Sequence, residues 1–270
     1  MLDLTPEQQV LREQFCSLRK EFTELFARKN EMQTYEESSL TSLYLSTVGE
    51  KQHEVFCLRT KIAVIKLRIE LIQAYINRNE IPELKTVDEE IHIRFADHKK
   101  KIEENVRQLS AAKEYLKNSF ISADEMKEMK ETYRIIIKKL HPDINLGLSE
   151  YETELFTKAQ AAYHLGSFMA LREILLSLDL AKDSADSISK SEEFAGIVLH
   201  LEKNVKNLRK QIEELEQSFP FIYKNELNDK EWLTSIQKKL DDDITNLTKE
   251  KEKQVLYLKV IEEWKPGLTN

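Results

Sequence analysis

Apolar residues recur along most of this chain at alternating spacings of three and four, which is a heptad pattern. The cleanest seam consists of Phe194, Val198, Leu201, Val205, Leu208, Ile212 and Leu215. Such a pattern places apolar side chains along one side of an α-helix, where a second helix is needed to bury them. Only five glycines and five prolines occur in 270 residues, so few positions interrupt a helix. The sequence therefore predicts an all-α fold built from long, antiparallel coiled-coil helices.

Further seams lie in the first half of the chain. Thr5 is the expected N-cap of the first helix, with Pro6 at the first helical position and Gln8 completing a capping box. Its seam contains Leu11, Phe15, Leu18, Phe22 and Leu25. A second seam contains Leu58, Ile62, Ile65, Ile69, Ile72 and Ile76, and a third begins near Val87. The connection between these two helices is short, so we expect them to fold back on each other as antiparallel neighbours.

The C-terminal part of the chain predicts a separate arm. Residues 181–191 contain Asp, Ser and Lys and few apolar side chains, which is typical of a linker. The seam beyond it is followed by a loop and by a last helix that carries Ile236 to Leu258 on one side. We expect these two helices to form an antiparallel hairpin. The predicted organisation is N-terminal coiled-coil helices at 1–86, a central region at 87–180 and the hairpin at 181–270.

Composition excludes several classes of function. The net charge of −7 and the pI near 5.6 argue against nucleic-acid binding, which normally requires a basic surface. Charged residues interrupt the most apolar stretch, residues 62–76, so we expect no membrane segment. The N-terminus lacks the pattern of a signal peptide, which predicts a cytoplasmic protein. No phosphate loop, nucleophile elbow or metal-ligand spacing occurs, so we expect neither an enzyme nor a bound metal or cofactor.

The tripeptide His141-Pro142-Asp143 ends a helical pattern that begins near Asp124. Proline has no N–H and disfavours helical backbone in the residue before it, so the helix should end at His141. The core face of this helix is predicted to contain Met126, Met129, Tyr133, Ile136, Ile137 and Leu140. Another face carries a basic stripe, which consists of Lys127, Lys130, Arg134 and Lys138 with Lys139 beside them. We expect the tripeptide and the basic stripe to be exposed to solvent.

The segment from Met129 to Asp143 resembles helix II and the following loop of a J-domain. In that family a Tyr-Arg pair, an aliphatic residue, a basic pair and His-Pro-Asp recur at this spacing. Downstream, the pattern of helix III is matched by Phe156, Ala159, Ala162 and Tyr163. The usual opening of a J-domain is missing, and the end of a long helix, near Leu109 to Phe120, takes the place of helix I. The resemblance therefore indicates a divergent J-like domain embedded between coiled-coil arms.

The resemblance implies a function as a co-chaperone. J-domains use His-Pro-Asp and the basic face of helix II to dock on an Hsp70 (DnaK-type) chaperone and stimulate its ATPase. The residues implied here are His141, Pro142, Asp143, Lys127, Lys130, Arg134, Lys138 and Lys139. The coiled-coil arms would then bind clients or other protein partners. The alternative interpretation is a structural coiled-coil scaffold or adaptor with a degenerate J-like domain, because acidic residues reduce the net charge of this helix to +1.

Overall fold

A computed structural model describes residues 5–117, 122–145, 147–178 and 194–264 of the protein. The backbone of these residues is predominantly helical, and no β-strand occurs among them. The predicted all-α fold class is confirmed. The predicted linker at 181–191 lies outside the described residues. None of the helices in the described ranges combines the length and the apolar character that crossing a bilayer requires.

The helices follow one another in the order α1 (Pro6–Glu31), α2 (Glu37–Tyr44), α3 (Glu50–Asn77), α4 (Leu84–Lys117), α5 (Ala123–Leu140), α6 (Glu150–His164), α7 (Phe168–Leu178), α8 (Phe194–Glu216) and α9 (Lys230–Glu262). Two π-helical segments, Met32–Glu36 and Leu45–Gly49, flank α2. Two short 3-10 helices, Phe221–Tyr223 and Glu226–Asn228, precede α9.

The chain divides into two compact units, and each unit combines two separate stretches of sequence. The first unit contains Met1–Ser39 and Asn118–Ile222, and the second contains Leu40–Lys117 and Tyr223–Asn270. The predicted ranges 1–86, 87–180 and 181–270 are contiguous, whereas the observed units are not. The first unit contains the His-Pro-Asp segment together with α1, α5, α6, α7 and α8.

In the first unit, α1 and α8 pack side by side and run in the same direction. At the start of α8, the Phe194 ring contacts the Phe15 ring of α1, with centroids 5.4 Å apart. Further along both helices, Arg209 Nε donates a hydrogen bond of 2.6 Å to Glu21. The α8 seam buries Val198, Leu201, Val205 and Leu208 in the same core as Phe15 and Phe22. The predicted C-terminal hairpin is corrected accordingly, because α1 covers the seam of α8.

In the second unit, α3 packs against both α4 and α9. Ion pairs join Arg68 to Asp88 and Glu50 to Lys113, so α3 and α4 are antiparallel as predicted. The pairs Lys51–Asp241 and Lys66–Glu250 show that α9 instead runs parallel to α3. The seam of α9 therefore has α3 as its partner. Asp241 and Asp243, two of three consecutive acidic residues on α9, thereby help to join this helix to α3.

Capping boxes define where three helices begin. Thr5 forms the predicted capping box with Gln8 at the start of α1. Ser122 and Glu125 form a second box before α5, and Ser149 and Glu152 form a third before α6. Hydrogen bonds from the serines hold the pKa of each of these glutamates below its ordinary value. The boxes satisfy backbone N–H groups that the first turn of a helix leaves free, which fixes where each of these helices begins.

Candidate functional site

The predicted core face of α5 is the face that packs on α6 and α7. Met129, Tyr133, Ile136, Ile137 and Leu140 are buried, and Met126 is packed at the edge of the same core. The predicted positions of α6, namely Phe156, Ala159, Ala162 and Tyr163, are buried in this core as well.

Two tyrosines join α5 to α6 at the centre of the pair. The Tyr133 and Tyr163 rings stack with an interplanar angle of 11° and centroids 4.1 Å apart. Burial raises the pKa of both phenols above the ordinary value, so both remain protonated at neutral pH. The Tyr133 hydroxyl is buried and has no hydrogen-bond partner among the described residues.

The helix α5 ends at His141, as the following proline predicts. His141 has extended backbone (φ −69°, ψ 126°), and its N–H still donates to Ile137 O at 2.9 Å. A tight turn follows, in which the N–H groups of Ile144 and Asn145 both donate to His141 O. The tripeptide and the tight turn that follows it therefore form a compact loop directly after the end of α5.

The imidazole of His141 is buried, which corrects the expectation of an exposed loop. Only 6% of this residue is accessible to solvent. Three phenylalanine rings surround it edge-on, with centroid distances of 4.7 Å to Phe22, 4.4 Å to Phe26 and 4.9 Å to Phe156. We call these three residues the phenylalanine cage. Two of them belong to α1 and Phe156 belongs to α6, so α1 and α6 together cover His141.

The buried His141 ring is neutral. Its Nδ1 accepts a hydrogen bond of 3.1 Å from the backbone N–H of Asp143, and an accepting ring nitrogen carries no proton. Burial lowers the pKa of His141 to about 4, although the nearby Asp143 carboxylate favours the charged form. Desolvation is the larger effect because the apolar cage cannot replace the hydration of an imidazolium ion.

The other two residues of the tripeptide have different environments. Pro142 is exposed, and Asp143 is partly exposed. The Asp143 carboxylate accepts a hydrogen bond of 3.0 Å from Asn204 Nδ2 of α8. Asn204 Nδ2 also lies 3.2 Å from His200 Nε2, one turn earlier on α8. The tripeptide is thus contacted from two sides, with α1 over His141 and α8 beside Asp143.

Two polar residues that sequence reasoning missed hold the end of α5 in place. Asn145 Nδ2 donates to Lys138 O and to His141 O, each at 3.1 Å. Arg19 of α1 donates through Nη2 to Lys138 O at 2.8 Å and to Asn145 Oδ1 at 2.5 Å. Asn145 could have been proposed as a cap, because Asn often satisfies the last carbonyl groups near a helix end. No local signal in the sequence identifies Arg19 or Asn204.

The basic stripe is only partly exposed, which is a second correction. Lys127 and Lys138 are exposed, whereas Lys130, Arg134 and Lys139 are partly buried. Lys130 Nζ forms an ion pair of 2.6 Å with Glu31. Arg134 Nε lies 3.4 Å from a carboxylate oxygen of Glu24. Both acids belong to α1, the helix that also covers His141.

The end of α4, which was expected to take the place of helix I of a J-domain, packs in the second unit. Leu109 of α4 lies beside Gly49 in the second unit. A Cβ atom added to Gly49 would be 3.3 Å from the Cδ2 atom of Leu109. The end of the predicted stretch, Phe120, lies outside the described residues. Within the first unit, α5 packs against α1, α6 and α7. We therefore assign no helix-I role to residues 109–117.

The described side chains contain no group of three or more His, Cys, Asp or Glu residues arranged to hold a metal ion. The site presents the compact loop after α5 and a partly exposed basic helix face. No protein-family model, curated protein or solved structure matches this chain.

Proposed function

We propose that this protein is a co-chaperone of the J-domain type, which docks on a DnaK-type Hsp70 and stimulates ATP hydrolysis by that partner. The single observation that supports this most is the position of His141-Pro142-Asp143. It forms the compact loop after α5, and α5 pairs with α6 through the Tyr133–Tyr163 stack. That arrangement is what the resemblance to helices II and III of a J-domain implies.

Docking in this proposal uses the tripeptide and the basic stripe. Lys127 and Lys138 are exposed and able to meet an acidic partner surface directly. Lys130 and Arg134 would add their charges once they exchange Glu31 and Glu24 for acidic groups of the partner. Opposite charges across an interface accelerate association and set its orientation. The protein itself would perform no chemistry, because the partner binds and hydrolyses ATP.

The remaining helices would serve a second role in the same proposal. The long helices α3, α4 and α9 form a body separate from the J-like segment. We assign to these coiled-coil arms the binding of protein clients or the placement of the complex. A cytoplasmic location, where a DnaK-type Hsp70 would be encountered, forms part of the proposal.

The decisive experiment measures single-turnover ATP hydrolysis by purified DnaK-type Hsp70s with and without this protein. Stimulation by the wild type and its loss in Asp143→Asn are expected. Asp124→Asn, which makes the same chemical change at an exposed position of α5, is the matched control. The absence of stimulation by the wild type and by every variant described below would rule out the co-chaperone function.

A binding experiment tests the basic stripe. Replacing the exposed Lys127 and Lys138 by Glu should weaken Hsp70 association and reduce its salt dependence, because both exposed charges are reversed. The control is the same double change at Lys99 and Lys100, exposed residues of α4. Equal weakening by both pairs would mean that only the overall charge matters and that the stripe has no docking role.

A second candidate function is a structural scaffold or adaptor in which the J-like fold has lost its signalling role. The burial of His141 in the phenylalanine cage favours this candidate, since the residue then serves as a core side chain. The two candidates differ in one measurable respect. A scaffold would leave Hsp70 turnover unchanged whatever the position of α1, whereas a co-chaperone would stimulate turnover whenever the tripeptide is accessible.

A further inference from the structure

One helix covers three separate parts of the proposed docking surface. Phe22 and Phe26 of α1 contact the His141 ring. Arg19, one turn earlier, donates to the loop at Lys138 O and Asn145 Oδ1. These contacts lie on consecutive turns of α1, so the helix lies along the loop that follows α5.

The same helix also neutralises the basic stripe. Glu24 and Glu31 are seven residues apart, which places them on the same side of α1, and they pair with Arg134 and Lys130. Both of these positive side chains belong to the basic stripe. An acidic partner surface would require the same two side chains. The α1 carboxylates and such a partner therefore compete for one set of charges.

We infer that α1 is an intramolecular lid that occupies the Hsp70-docking surface and inhibits it until the lid is displaced. This inference rests on the proposed function, because it assigns a regulation to the same site. The closed arrangement withholds His141 and two stripe residues and leaves Lys127, Lys138 and Pro142 exposed. A partner would then meet an incomplete surface, and its apparent affinity falls with the fraction of molecules that are open.

The contacts of the lid with the stripe are of a reversible kind. Side chains of both ion pairs retain access to solvent, from 15% for Glu31 to 57% for Glu24. Ion pairs whose side chains retain contact with solvent contribute only modestly to stability. The π-helical segment Met32–Glu36, directly after the lid, is anchored to α6. There Tyr35 Oη donates to Tyr163 O, and Thr34 Oγ1 lies 2.8 Å from His164 Nδ1.

The test weakens the lid without altering the docking surface. In one variant Glu24→Lys and Glu31→Lys are combined, so that like charges face each other across α1 and α5. The matched control combines Glu7→Lys and Glu13→Lys, two exposed acids on the same helix, with the same change in net charge. A second lid variant, Phe26→Ala, opens the phenylalanine cage directly. Circular dichroism verifies the helical content of each protein.

Two readouts are taken on every variant. The first is single-turnover ATP hydrolysis by a DnaK-type Hsp70, and the second is modification of His141 by diethyl pyrocarbonate, mapped by peptide mass spectrometry. We expect both lid variants to stimulate hydrolysis about tenfold more than the wild type at limiting concentration, which is a typical size for coupling between sites. His141 should become reactive in both lid variants and stay protected in the wild type and the control. Adding Asp143→Asn to a lid variant should remove the additional stimulation of ATP hydrolysis.

The outcomes separate this inference from the proposed function. Equal, non-zero stimulation by the wild type, the control and both lid variants overturns the lid and leaves the co-chaperone function standing. Protection of His141 in folded Phe26→Ala also overturns the lid. Absence of stimulation by every protein, with His141 reactive in the lid variants, overturns the co-chaperone function and with it the regulatory role of α1.

Discussion

The Phe26 ring of α1 lies edge-on to the His141 imidazole, with the ring centroids 4.4 Å apart and an interplanar angle of 75°. This contact makes His141 part of the hydrophobic core as well as part of the candidate docking loop. If the proposed function holds, substitutions in the tripeptide affect both stability and partner binding. The two residues on either side of Pro142, His141 and Asp143, should differ in their effect on stability.

We predict that His141→Gln lowers the free energy of unfolding by roughly 1–3 kcal/mol, because it removes ring contacts and buries an amide within the cage. Asp143→Asn should change it by less than about 0.5 kcal/mol, since Asn204 can still donate to the new amide oxygen. Urea unfolding followed by circular dichroism measures both values. Equal stability of His141→Gln and the wild type would mean that the contacts of His141 with the cage contribute nothing to the free energy of unfolding.

The stability of the protein should depend on pH through His141. Burial lowers its pKa from the ordinary 6.5 to about 4, so between these values the unfolded chain binds a proton that the folded chain does not. Stability is then unaffected by this group above pH 6.5 and falls as the pH is lowered towards 4. The expected loss is about 2 kcal/mol at pH 5.

The comparison with His141→Phe isolates this effect, because phenylalanine fits an aromatic cage and does not titrate. The difference in unfolding free energy between the wild type and His141→Phe should change by about 2 kcal/mol from pH 7.5 to pH 5. If the difference in unfolding free energy did not change with pH, His141 would have the same pKa in the folded and unfolded states.

Tyr133→Phe should stabilise the protein by about 1 kcal/mol, because the Tyr133 hydroxyl is buried without a partner among the described residues. Tyr35→Phe is the matched control, since the Tyr35 hydroxyl donates to Tyr163 O. Removing the Tyr35 hydroxyl should lower the free energy of unfolding by about 1 kcal/mol. Thermal unfolding of the two variants should therefore shift in opposite directions, and shifts of the same sign would contradict the assignment of these hydroxyl groups.

Two glycines should respond oppositely to alanine. A Cβ added to Gly196 in α8, or to Gly147 in the loop after α5, would meet no atom within 4 Å. Gly147 has φ +81°, where alanine is strained, whereas Gly196 lies within a helix. We expect Gly196→Ala to raise the unfolding free energy by about 0.5–1 kcal/mol and Gly147→Ala to lower it by about 1–2 kcal/mol. Because space is open at both sites, a loss at Gly196 would contradict the helical assignment.

Features that depend on neighbouring residues could be predicted from the sequence. The capping box at Thr5, the end of α5 at His141 and the buried face that includes Tyr133 all follow from groups within a few residues or within one helical period. The all-α class follows from the scarcity of glycine and proline and from the repeated heptads. These properties are local, so each segment contains the information that specifies it.

The partners of the α8 and α9 seams were decided by the tertiary structure. Apolar seams with the same period can bury one another in several combinations, and the pattern alone does not distinguish them. The α8 seam could have packed on the helix that follows it, but it packs on α1 at the other end of the chain. Loop length also gave no indication that α8 runs parallel to α1 or that α9 runs parallel to α3.

The environment of the candidate site depends on that choice of partner. Arg19 contacts the loop from 119 residues away along the chain, and Phe22 and Phe26 bury His141 from a similar separation. The sequence by itself determined that a helix ends at His-Pro-Asp with a basic face beside it. Only the tertiary structure decided that α1 lies over this loop, because burial and charge pairing there arise from residues that no local pattern links to it.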